Sequence, residues 1–98
     1  MDLGLSGKVA LVSGASRGIG RAIAAGLAAE GAKLIIAARG REDLERTARE
    51  IEQAGGEVLA HACDVSDDTS VASLVKAAID RFGRIDILVS NASALAVT

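Results

Sequence analysis

The sequence has no proline, tryptophan or tyrosine, and one each of cysteine, histidine, phenylalanine and methionine in 98 residues. The lone Cys63 excludes an internal disulfide framework and a zinc site built from several cysteines, and it fits a reducing compartment. Without tyrosine, one whole class of general acid is missing from these residues. Charge of one sign is scarce as well. Eleven Lys plus Arg against 13 Asp plus Glu leave a formal net charge of −2, which excludes the strong basic field on which non-specific nucleic-acid binding relies. No apolar run approaches the roughly 20 residues that span a bilayer. Residues 1–8 lack the basic start and long apolar core of a signal peptide. The expectation is a cytoplasmic, single-domain protein without nucleic-acid or membrane partners.

What is present is half apolar and glycine-rich, with 11 glycines. Short continuous apolar runs at 9–12, 34–38, 58–62 and 87–89 have the length of strands buried on both faces. Between them lie segments with helical spacing. Ile19, Ile23 and Leu27 share one face, as do Leu44, Ala48 and Ile51. Val71, Leu74, Val75, Ala78, Ile79 and Phe82 follow the i, i+3, i+4, i+7 rule most clearly. Gly31, the pair Gly55 and Gly56, and Gly83 follow the three helices, where a left-handed cap favours glycine. Ser66 is the expected N-cap of the third helix, with Asp67 and Asp68 as first-turn negative charge. Helices are thus expected at 19–31, 41–54 and 67–82. Strands alternating with helices give a parallel sheet with right-handed crossovers. The expected fold class is α/β; if the sheet is the first part of a Rossmann-type doubly wound fold, its strand order is 3-2-1-4. There is no internal repeat, linker or low-complexity tract.

After the first strand the chain reads Ser13-Gly14-Ala15-Ser16-Arg17-Gly18-Ile19-Gly20. Three glycines between a strand and a helix suit a phosphate cradle. Glycine allows unusual backbone angles and close approach to a ligand, and the helix N-terminus offers free N–H groups and partial positive charge to a pyrophosphate. A plain strand-to-helix turn would need only one or two glycines. A nucleoside-triphosphate loop requires Gly-Lys-Ser/Thr, but Gly20 is followed by Arg21 and Ala22. Residues 14–18 also spell the Gly-x-Ser-x-Gly of a hydrolase nucleophile elbow. That chemistry needs a histidine base, and His61 lies inside the third apolar run. His61 and Cys63 read as packing residues of the third strand and its exit, without enough partners for a metal site.

A dinucleotide site usually carries Asp or Glu at the end of the second strand, about 20 residues past the glycines, for the ribose hydroxyls. This position reads Ala37-Ala38-Arg39-Gly40. Arginine matches a phosphate with two parallel charge-assisted bonds, and Arg17 in the glycine turn can approach the same group. Singly, each arginine reads as a solvated charge. Together they favour NADP(H) over NAD(H).

With these residues in view, the chain resembles the short-chain dehydrogenase/reductase family over essentially its whole length, and most of all the classical members related to 3-oxoacyl-acyl-carrier-protein reductases. The family motif Thr-Gly-x-x-x-Gly-x-Gly is matched from Ser13 to Gly20, with serine for threonine. The resemblance implies that Gly14, Ser16, Arg17, Gly18, Ile19 and Gly20 bind the cofactor phosphates, and that Asp64 and Val65 contact the adenine. It also implies that Asn91 and Ala92, from the family stretch Asn-Asn-Ala-Gly, line the cofactor; here the stretch reads Ser90-Asn91-Ala92-Ser93, with Ser93 in place of glycine. From the residues alone, Asp64 reads equally as a cap of the loop before Ser66, and Asn91 as a strand-end partner of the backbone.

The family's Tyr-x-x-x-Lys lies later in the chain, and no tyrosine is present here. The expectation is therefore an incomplete NADP-binding domain over residues 1–98, with no catalytic residue or metal ligand of its own. Two function classes stay open. One is an NADPH-dependent oxidoreductase acting on a small carbonyl or alcohol substrate, with this chain alone inactive. The other is a non-catalytic nucleotide-binding or interaction module that keeps the first half of the fold. With strand order 3-2-1-4, two helices cover one face of the sheet and a single helix the other. The bare face and the open edge of the fourth strand lead to an expected homo-oligomer.

Overall fold

The computed structural model describes residues 4–15 and 18–90. Four parallel strands alternate with three helices in chain order: β1 (Val9–Ser13), α1 (Gly18–Ala29), β2 (Lys33–Ala38), α2 (Arg41–Gln53), β3 (Glu57–Ala62), α3 (Asp68–Phe82) and β4 (Ile87–Ser90). The sheet order is β3-β2-β1-β4, with Leu11 beside both Ile35 and Leu88, and Ile35 beside Leu59. Every residue of β1 is buried, because strands flank it on both sides and side chains cover both faces.

Alternation along the strands sorts the apolar residues into two cores. Ala10, Val12, Leu34, Ile36 and Val58 pack with Ala24 of α1 and with Leu44, Ala48 and Ile51 of α2. Val9, Leu11, Ile35 and Ala37 pack on the other face with Leu74 and Ala78 of α3. The helices are thus divided two and one, as the crossover argument requires. Among the described residues no helix is long and apolar enough to cross a membrane.

Three local expectations need correction. In α1 the buried residues are Gly20 and Ala24, while Ile19 is 70% exposed. Small side chains make the closest contact, letting the helix approach the sheet, while Leu27 of the Ile19–Ile23–Leu27 stripe packs partly buried against the same core. The N-cap of α3 is Asp67, whose carboxylate accepts from Thr69 N at 2.9 Å and Ser70 N at 3.5 Å. Ser66 stands one residue further from the helix, with its amide and hydroxyl both donating to Asp64 Oδ1. Finally, β4 is not buried on both faces. Ile87 and Val89 pack on the α1/α2 side, whereas Leu88, on the opposite side, is 69% exposed.

Asp86, just before β4, ties that strand to the start of β1. Its Oδ2 accepts from Val9 N at 2.8 Å and Arg84 Nε at 2.9 Å, and Arg84 also donates to the Gly7 carbonyl at 3.2 Å. The Val9 amide, first of all, holds the Asp86 carboxyl below the usual aspartate range; burial opposes this, and the charge of Arg84 assists.

Candidate functional site

The C-terminal ends of β1, β2 and β3 come out side by side and are laced together by backbone bonds. Ala15 N donates to Ala37 O at 3.2 Å, and Cys63 N donates to Ala38 O at 2.9 Å. The glycine turn, the Arg39 loop and the Asp64 loop therefore share one end of the sheet. In an open parallel sheet that is the end at which ligands bind.

The glycine turn needs its glycines for their backbone. Gly14 has φ 69° and Gly18 φ 64°, a region that costs other residues roughly 1–2 kcal/mol. Among the described residues, nothing beyond its chain neighbours and own helix backbone comes within 4 Å of where a Cβ on Gly18 would sit, so the backbone angle is what demands glycine. The three helix starts differ in charge. α2 has Glu42 and Asp43 in its first turn, and α3 has Asp68 behind its Asp67 cap. The first turn of α1 has no acid, which leaves its positive end available to an anion. Gly20, in the same turn, is buried and Ile19 stands exposed beside it. Ser16 and Arg17, and likewise Asn91 and Ala92, lie outside the described residues.

Arg39 is the first residue past β2 and is exposed. With Ala62, Cys63, Asp64 and Ser70 it lines a shallow cavity of about 270 Å³. Asp64 is the best-held polar group there. Its Oδ1 accepts from the Ser66 hydroxyl at 2.7 Å and the Ser66 amide at 3.0 Å, and its own N–H donates to Ser70 Oγ at 3.0 Å. The Ser66 hydroxyl and then its amide hold the Asp64 carboxyl below the ordinary range; burial opposes them, and the Arg39 charge adds to them. Val65, next in the chain, is 43% exposed.

Two features of this cavity are not legible in the sequence. Cys63 is 4% exposed and belongs to the α3-side core, yet it also forms part of the cavity wall. Ser70 lies six residues beyond Asp64, and only the fold of the turn brings its hydroxyl back to the Asp64 amide. His61 is engaged at both ring nitrogens, by its neighbour's carbonyl at 3.0 Å and by Ser73 Oγ at 3.5 Å. Among the described residues no three His, Cys, Asp or Glu side chains are grouped to hold a metal. A second cleft of about 160 Å³ lies between α1 and α2, away from the strand ends. Its charged residues, Arg21 and Glu50, are paired with each other.

The family model for short chain dehydrogenase matches residues 8–98. A hydroxysteroid dehydrogenase-like protein 2 from Rattus norvegicus is 45% identical over 101 residues, covering 96% of this chain and 19% of the rat protein. An actinorhodin polyketide ketoreductase solved with NADPH superposes with a TM-score of 0.84 at 42% identity, covering 93% of this chain and 34% of that one. A short-chain dehydrogenase/reductase from Burkholderia phymatum solved with NAD also gives 0.84, at 39% identity, covering 86% and 30%. The chain thus spans between about a fifth and a third of the length of these proteins.

Proposed function

Since the chain belongs to the short-chain dehydrogenase family, we propose that its 98 residues form the NADP(H)-binding part of an oxidoreductase that reduces a ketone or oxoacyl group on a small molecule. Gly14, Ser16, Arg17, Gly18, Ile19 and Gly20 hold the pyrophosphate against the start of α1. Arg39 takes the 2′-phosphate, Asp64 and Val65 take the adenine, and Asn91 and Ala92 continue the wall beyond β4. The acid-free first turn of α1 supports the pyrophosphate, and the exposed arginine in place of a ribose-binding carboxylate supports an extra phosphate. When bound, NADPH supplies the hydride for carbonyl reduction. The part played by the residues of this chain is to bind and orient the nucleotide. They contain no tyrosine, so the proton donor for the carbonyl oxygen is not among them, and the proposal gives them binding without turnover.

The observation that carries the cofactor assignment is Arg39 on the rim of the Asp64 cavity. A charge-assisted hydrogen bond is worth roughly 1.5–3 kcal/mol, or about ten- to a hundredfold in affinity. Titration calorimetry of the protein is expected to show NADPH bound tighter than NADH by that factor, and Arg39→Asp to reverse the order. Equal affinities before the substitution would overturn the assignment. A second reading, a non-catalytic nucleotide-binding module, shares every binding residue. It is favoured only by the lack of tyrosine among these residues, and a reading frame that runs on from Thr98 to encode Tyr-x-x-x-Lys would eliminate it. We also assign the exposed Leu88, Val75 and Ile79 on the α3 side to contacts within a homo-oligomer.

A further inference from the structure

We propose that Ser66 is a positioning residue for base recognition: it occupies one oxygen of the Asp64 carboxylate twice over and leaves the other as the acceptor for an exocyclic amine on the purine. The proposal rests on the reading of this cavity as the adenine site and adds to it a residue outside the phosphate and adenine contacts already assigned.

The geometry is asymmetric. Both Ser66 donors, the amide at 3.0 Å and the hydroxyl at 2.7 Å, converge on Oδ1. Oδ2 takes no hydrogen bond from any described residue. Two bonds to the same oxygen fix the carboxylate plane, because rotation about the side chain would break both. The Asp64 backbone is fixed independently, its N–H held by Ser70 Oγ at 3.0 Å. Asp64 and Ser70 both line the 270 Å³ cavity, so the group that is locked in place belongs to the wall a purine would meet. An ionised carboxylate only accepts hydrogen bonds. A purine with an amino group at its six-position donates to it, whereas one with an oxo group there sets two acceptors against each other. Ser66 itself is exposed and packs in neither apolar core, so its hydroxyl has little to do in folding.

A hydrogen bond to a charged group is worth roughly ten- to a hundredfold in binding. The test is titration calorimetry of the protein with NADPH and with its deaminated analogue, reduced nicotinamide hypoxanthine dinucleotide phosphate, for wild type, Ser66→Ala and Ser66→Thr. The wild type is expected to prefer NADPH by about tenfold or more. Ser66→Ala should bring the two affinities to within about threefold, while Ser66→Thr, which restores the hydroxyl, should keep the preference. A purely structural role for Ser66 would lower both affinities together and leave their ratio alone. If NADPH is preferred over its analogue and Ser66→Ala retains the full ratio, the positioning role is wrong and the nucleotide site stands. Equal wild-type affinities for the two dinucleotides would likewise remove the amine acceptor while leaving the phosphate contacts intact. If neither dinucleotide binds the wild type, the nucleotide reading falls and takes this inference with it.

Discussion

One chemical change made at two glycines should move stability in opposite directions. Gly56 ends the turn after α2, donating its N–H to Ile51 O at 2.8 Å while Gly55 donates to Glu52 O at 3.0 Å. These two bonds form the paired carbonyl cap that closes many helices. A Cβ on Gly56 would stand 2.6 Å from Ile51 Cγ2, 3.1 Å from Ile51 O and 3.3 Å from Ala28 Cβ. Ile51 cannot easily give way: it is β-branched, restricted at χ1 within a helix, and 4% exposed in the α1/α2 core. Overpacking of this kind costs about 1–3 kcal/mol. Gly26 sits within α1, exposed, and among the described residues nothing outside its own helix backbone and chain neighbours comes within 4 Å of its Cβ position. Alanine there removes unfolded-state freedom and should stabilise by roughly 0.5–1 kcal/mol. For a unit of this size, each kcal/mol shifts the midpoint of melting by about 4–8 °C. Thermal melts followed by circular dichroism should therefore place Gly26→Ala a few degrees above wild type and Gly56→Ala clearly below it. A Gly56→Ala protein as stable as wild type would show that α2 is not seated on the Gly56 turn as described, and the packing argument would fail with it.

Acid should loosen the β1–β4 junction. Asp86 and Asp64 titrate below the usual aspartate range in the folded protein, so protonation favours the unfolded chain. Their contribution is complete above the unfolded value of about 3.9 and is lost as pH falls through the lower folded values. Urea titrations from pH 5 to about 2.5 should show Asp86→Asn losing less stability over that interval than wild type; parallel losses would place the acid sensitivity elsewhere. On the open face, Leu88→Lys places a charge on an edge strand. Sedimentation velocity should shift toward smaller species while the unfolding free energy stays within about 0.5 kcal/mol of wild type. An unchanged distribution would refute the role given to Leu88.

The order of elements and the sheet topology were legible because they rest on one-dimensional signals. The runs around Leu11 and Ile35 are apolar at consecutive positions, as in strands covered on both faces, whereas β3 and β4 at the two edges of the sheet carry such runs while only partly covered. Gly31, Gly55 and Gly83, with φ of 90°, 93° and 82°, stand where the chain must leave a helix through a conformation that other residues avoid. Strand order followed from the doubly wound pattern and the faces of the helices from crossover handedness, and the glycine turn was marked by its place between β1 and α1. Among the candidate site residues, Gly14, Gly18, Arg39 and Asp64 could be located at one end of the sheet by that topology alone.

Only the tertiary structure decided which side chains do the packing and which hold the site. Periodicity marks Ile19, Ile23 and Leu27 as one face, but the sheet is approached by Gly20 and Ala24, because backbone proximity rewards small residues and a hydropathy pattern does not register size. Capping propensity does not separate Ser66 from Asp67; the path of the turn starts the helix at Asp68, which puts the Asp67 carboxylate next to the Thr69 and Ser70 amides and leaves Ser66 donating to Asp64. The link from Ser70 to the Asp64 amide depends on a turn whose exact path has no periodic signature. The exposure of Leu88 was likewise beyond composition, since an apolar residue on an outer strand is covered or bare according to what lies across it. Local preferences fix where strands and helices form; the partner of each hydroxyl and methyl group is settled only when non-neighbouring segments meet.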